Sequence, residues 1–115
     1  MAHDEDDSDL EALLEAIQVF RGLEPEIQAQ AVALLLYVAV KADPVLMQDI
    51  SDALQMSQSS VSRNVAVLGE LHWRGRTGLG LVDAWENPEN RRQKFVALTL
   101  KGKTFVRTIK RAMAR

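Results

Sequence analysis

Apolar side chains recur along this chain at two different spacings, and the change of spacing divides it. Leu10, Leu13, Leu14, Ile17 and Phe20 fall three or four residues apart, which puts them on one stripe of a helix starting near Asp9. Ser8 or Asp9 is the expected cap and Arg21-Gly22 the expected stop. A second helix is expected from Pro25, a residue suited to the first helical position, to about Lys41. Its second half, Ala31 to Val40, is apolar nearly all round, which predicts burial on several sides, as a central core helix or against a partner chain. Asp43-Pro44 breaks the pattern, and a short helix follows over Met47 to Leu54 with Ile50, Ala53 and Leu54 inward.

Gln55-Met56 then makes a tight turn into Ser57, a good helix cap. In the helix expected over Ser57 to Leu71, Val61, Val65 and Leu68 share one face. The other face carries Ser59, Ser62, Arg63 and Ala66, flanked by Ser60 and Asn64. A merely solvated helix favours Lys and Glu; short side chains instead let a backbone approach something closely. Ser, Asn and Arg are hydrogen-bonding types suited to phosphates and base edges. Two helices joined by so short a turn, the second exposing Ser and Arg, predict a helix-turn-helix.

Three glycines in Leu71 to Gly80 argue against helix and regular strand alike. From Leu81 the period becomes two: a strand to Glu86, a turn over Asn87-Pro88-Glu89-Asn90, and a returning strand from Arg92 to Leu98. Arg91, Arg92 and Lys94 make the hairpin tip basic. Thr99 caps a last helix, about Leu100 to Ala114, with Phe105, Ile109, Ala112 and Met113 on one stripe and Lys101, Lys103, Arg107 and Arg111 opposite. The expected organisation is an acidic tail over 1–8 and a single domain over 9–115. Within it lie N-terminal helices (9–42), a helix-turn-helix (43–71), a basic glycine-rich loop (72–80), a hairpin (81–98) and a C-terminal helix (99–115). The fold class is mainly α with a small β-hairpin wing.

Charge adds what the periodicity cannot. Residues 1–56 carry twelve acidic and two basic side chains, and residues 57–115 carry four acidic and twelve basic, so a net charge of −2 hides halves of −10 and +8. The basic half suits a polyanion and the acidic half would face away from it. With no cysteine there is no disulfide, thiolate metal site or thiol nucleophile. The longest apolar run is about half a membrane span, and the acidic N-terminus is not a signal peptide, so a cytoplasmic protein is expected. No catalytic residue, metal site or cofactor is expected. His3 lies in the acidic tail and His72 in a basic loop, no paired-His spacing occurs, and Gly75, Gly78 and Gly80 do not form a nucleotide fingerprint.

The segments DISDALQMSQSSVSRNVAVL and GLVDAWENPENRRQKFVALTLKG resemble the MarR family of winged helix-turn-helix transcription regulators. The family's wing has an acidic residue, Pro, any residue, Asp and two basic residues, then a short strand and Leu-Thr-x-x-Gly. Asn87-Pro88-Glu89-Asn90-Arg91-Arg92 and Leu98-Thr99-Leu100-Lys101-Gly102 occupy that frame. The resemblance implies a recognition helix bearing Ser57, Gln58, Ser59, Ser60, Ser62, Arg63 and Asn64, and a wing that contacts duplex DNA through Asn90, Arg91, Arg92 and Lys94. Asn90 and Gln55 depart from the family's usual Asp and Gly. Only thirteen residues follow Gly102, so a homodimer is expected to rest on Leu10, Leu13, Leu14 and Ile17 with Phe105, Ile109 and Met113, and no small-molecule effector is expected. His72, Arg74 and Arg76 are candidate backbone contacts in the loop.

The function expected is a sequence-specific repressor acting as a homodimer on an inverted repeat. Two alternatives use the same fold: a protein-interaction adaptor working through the acidic tail or the basic face, and a replication or maintenance factor binding DNA non-specifically.

Overall fold

A computed structural model describes residues 7–70 and 77–114. Five helices and a three-stranded antiparallel sheet follow in the order α1 (Ser8–Leu23), α2 (Ala29–Lys41), β1 (Val45–Leu46), α3 (Met47–Leu54), α4 (Gln58–Leu68), β2 (Val82–Asn87), β3 (Asn90–Leu98) and α5 (Leu100–Met113). The expected mainly-α architecture with a hairpin is present. The sheet has one strand more than the sequence suggested, because Val45 and Leu46 pair with Val96 and Phe95 along the free edge of β3. Aliphatic side chains of every helix and strand layer meet in one core, among them Leu34, Leu35, Ile50, Leu68, Leu81 and Val96, each with no exposed surface.

Four helix boundaries differ from expectation, the first at the start of α1, where Asp7 rather than Ser8 or Asp9 holds the cap position and Ser8 is already helical. The first helix runs through Arg21-Gly22 to Leu23, since Gly22 stays within the helix and Glu24 in extended conformation ends it. Pro25 does not open the second helix. Arg21 Nε donates to the Pro25 carbonyl at 3.2 Å and the Ile27 amide to that of Glu24 at 3.0 Å, closing a turn, and α2 begins at Ala29. The recognition helix stops at Leu68 rather than Leu71.

That last stop has a visible cause. Amides of Leu79, Leu81, Gly80 and Gly78 donate in turn to the carbonyls of Val67, Leu68, Gly69 and Glu70 at 2.7–3.0 Å. The returning chain thus satisfies carbonyl groups that a helix end leaves without partners. So close a crossing needs glycine: a Cβ on Gly78 would lie 2.2 Å from the Gly69 oxygen. Thr99 repeats the device at the next junction. Its hydroxyl donates to the Gly80 carbonyl at 2.7 Å and accepts the Gly102 amide at 2.9 Å, so one side chain caps α5 and ties it to the loop. Gly102 lets the first turn of α5 settle on Leu81, whose oxygen would be 2.0 Å from an added Cβ.

The expected stripe of α1 divides, and the inward face of α3 departs from the sequence reading. Ala12, Ala16 and Phe20 are buried on α1, which packs against α5 with Phe20 edge-on to Phe105 at 5.2 Å. Leu10, Leu13, Leu14 and Ile17 face outward, 38–65% exposed. Small alanines permit close helix contact, so they take the inner face although leucine is the more apolar residue. On α3, Ile50 is buried and Leu54 half-buried, but Ala53 is exposed. The molecule is elongated, 58 × 27 × 25 Å, with a radius of gyration of 15.6 Å. A compact domain of this length would have about 13 Å.

Candidate nucleic-acid interface

Helix α4 begins where Ser57, in extended conformation, accepts the Ser60 amide on its hydroxyl at 3.1 Å. Before it, Gln55 adopts a left-handed backbone (φ 55°) that ends α3, and its side-chain amide donates to the Asp52 carbonyl at 3.0 Å. A residue with a Cβ strains there, where the resembled family uses Gly. The geometry is kept and the side chain supplies a compensating bond.

Ser57, Gln58, Ser59, Ser62 and Arg63 are exposed and Ser60 is half-buried. Asn64 is a correction to the expected outer face. It is 8% exposed, and its amide donates to the Ser60 carbonyl at 2.8 Å and to Gln30 of α2 at 3.4 Å. Position 64 lies one helical turn from Val61 and Leu68, so the spacing already placed it on the inner stripe. Arg63 Nη2 donates to the Ser60 hydroxyl at 3.2 Å, which draws the guanidinium along the helix flank.

The hairpin is tighter than expected, with Asn87 opposite Asn90 and only Pro88-Glu89 between the strands. Two asparagines shape it: Asn87 Oδ1 accepts the Glu89 amide at 3.0 Å, and Asn90 Oδ1 accepts the Arg92 amide at 3.1 Å. Both are side-chain mimics of a backbone turn. Alternation along β3 separates the two arginines. Arg92 and Lys94 share the face of buried Val96, while Arg91 shares that of Phe95. On the outer face Trp85 pairs across the strands with Phe95, ring centroids 6.0 Å apart, which accounts for Trp85 as packing.

These elements converge. Met47 and Gln48 of α3, Gln58 and Ser62 of α4, and Arg92, Gln93 and Lys94 of β3 line one open cleft. Its lining holds two cations and no carboxylate; Glu86 stands opposite Lys94 in the strand register but outside the lining. Gln48 and Gln93 are the residues the sequence reading missed, since only the fold brings α3 and the wing beside α4. Arg91 and Asn90 lie on the hairpin beyond the cleft. His72, Arg74 and Arg76 lie outside the described residues.

The candidate dimer residues divide. Leu10, Leu13, Leu14, Ile17 and Met113 are exposed, but Ile109 is in the core and Phe105 is half-buried against Phe20. The last two are occupied within the chain, which corrects their assignment to an interface. Among the described residues no group of three metal-ligating side chains occurs, and no helix is long and apolar enough to cross a membrane.

No protein-family model and no curated protein matches the chain. Solved structures do. The MepR–DNA complex of S. aureus matches with a TM-score of 0.71 and 21% identity over 90% of this chain and 76% of that one. A mutant MarR from E. coli complexed with operator DNA matches with a TM-score of 0.64 and 17% identity over 90% and 69%. A MarR-family transcriptional regulator from Rhodococcus sp. RHA1 matches with a TM-score of 0.64 and 20% identity over 89% of this chain and 64% of that one, so the chain spans under two thirds of that regulator. The protein has the winged-helix fold of MarR-family transcriptional regulators.

Proposed function

We propose that the protein is a transcription regulator that binds duplex DNA sequence-specifically as a homodimer and represses by occluding a promoter. The observation that carries this is the shared cleft, where the exposed face of α4 and the inward cations of the wing open on the same side. A helix with short polar side chains fits a major groove, and Arg92 and Lys94 then meet the phosphate strand bordering it. Two of the three structural neighbours described above are complexes with DNA, one of them with operator DNA, which supports the reading.

The dimer rests on the outward leucines of α1. Four large aliphatic side chains exposed on one helix make a patch that a monomer rarely keeps. A second copy would cover it and set two recognition helices about one helical turn of DNA apart, which favours an inverted repeat.

The test is titration of a labelled duplex at several salt concentrations. Alanine at both Arg91 and Arg92 is expected to weaken binding to all sequences and flatten the logarithmic salt slope by about 1–2. An unchanged affinity and slope would remove the wing from the interface.

A further inference from the structure

A chain of three polar side chains starts at Asp52 on α3, outside the cleft, and enters it through Gln48 to end at Gln58, the first residue of the recognition helix. Gln48 Nε2 donates to Asp52 Oδ1 at 3.0 Å, and Gln58 Nε2 donates to Gln48 Oε1. Direction in this chain is enforced from one end. A carboxylate only accepts, so Gln48 must turn its NH2 toward Asp52 and its oxygen toward Gln58. Gln58 must in turn give Gln48 an N–H. Two amides that would otherwise be free to flip are thereby set by a single acid.

We propose that this relay makes Gln58 a reader of adenine, with Gln48 as its positioning residue and Asp52 as the group that fixes the polarity. The inference rests on the reading of α4 as the element that enters the major groove. Gln58 is read as giving Gln48 the N–H that lies away from its own oxygen, which leaves the other N–H beside the carbonyl oxygen on the outward edge. A donor next to an acceptor complements N7 and the N6 amino group of adenine. Guanine offers two acceptors on that edge, cytosine a donor and thymine an acceptor with a methyl group, so none of them satisfies both halves of the amide. Gln58 is placed for such a contact: it is exposed, it lines the cleft beside Ser62, and Arg92 and Lys94 stand across from it to hold the phosphates. Gln48 is exposed as well, so replacing either glutamine leaves the core untouched.

The test is selection of bound sequences from random duplex DNA by the full chain and by Gln58→Ala, Gln48→Met and Asp52→Ala, with circular dichroism confirming unchanged helix content. The wild type is expected to enrich adenine at one position of each half-site. Gln58→Ala should lose that preference by roughly tenfold at that position alone, the scale of a bidentate base contact. Gln48→Met and Asp52→Ala should weaken it at the same position and nowhere else, which a loss of general stability would not do. A Gln58→Ala motif identical to the wild type overturns the assignment. So does a Gln48→Met motif that keeps the full preference, because the relay is then idle. A wild type that enriches no motif overturns the proposed function itself and this inference with it.

Discussion

Helices α1 and α4 both turn half of their surface outward, and the two outer faces differ in kind. On α1 the outer face is Leu10, Leu13, Leu14 and Ile17, while the inner face uses Ala12 and Ala16. On α4 the outer face is Ser59, Ser62 and Arg63, and the inner face is Val61, Asn64, Val65 and Leu68. Exposed Glu11 and Glu15 flank the first face but its centre is aliphatic, and the second carries none of the Lys and Glu that water alone selects. One is too apolar to be left in solvent and the other too short and polar to be mere solubility. Each therefore points to its own partner, a second copy of the chain at α1 and a polyanion at α4.

The comparison breaks most sharply at α1. Leu13→Glu together with Leu14→Glu is expected to raise the dimer dissociation constant roughly a thousandfold or more, since each buried leucine contributes about 1.5–3 kcal/mol. Analytical ultracentrifugation should show a monomer with unchanged helix content. If the variant stays a dimer, the α1 face is not the contact.

The joint between the two regions is the next largest effect. Gly102→Ala would normally favour a helix, but here the added Cβ falls 2.0 Å from the Leu81 carbonyl. A loss of about 3 kcal/mol in denaturant unfolding is expected, the upper range for overpacking. Stabilisation instead would mean that α5 is not seated on the loop.

At α4, Arg63→Ala should relax preference at one base pair by about 1–3 kcal/mol, seen in competition between cognate and single-substituted duplexes. An equal loss on every sequence would make Arg63 a phosphate contact. The wing sharpens the picture further, because its two arginines lie on opposite faces of β3. Arg92→Ala should lower the salt slope by about 1, with a smaller change for Arg91→Ala. The reverse order would place the DNA on the outer face of the hairpin.

Much of this was legible in the sequence, for reasons that differ from element to element. The period of 3.6 locates α3 to both its ends and α4 to its start, and the period of two locates the hairpin. Thr99 and Gly102 were visible as a motif, and their hydrogen bonds explain why the pair recurs: one caps, the other permits contact. The strand β1 was not legible, because two residues carry no period and its pairing depends on β3, some fifty residues away. Pro25 misled because a residue suited to opening a helix suits a turn equally well. The stripe of α1 is a face only as far as Ile17, since Phe20 turns to the core with Ala12 and Ala16, and which side meets the core depends on how closely α5 must approach. The bond between Gln48 and Gln58 joins two helices ten residues apart and appears only when both are in place.

The central claim is that α4 and the wing read duplex DNA, and selection from random duplex sequences at near-physiological salt tests it most directly. The account predicts enrichment of an inverted repeat with half-sites about one helical turn apart. Recovery of DNA without a shared motif, or no recovery at all, would contradict it.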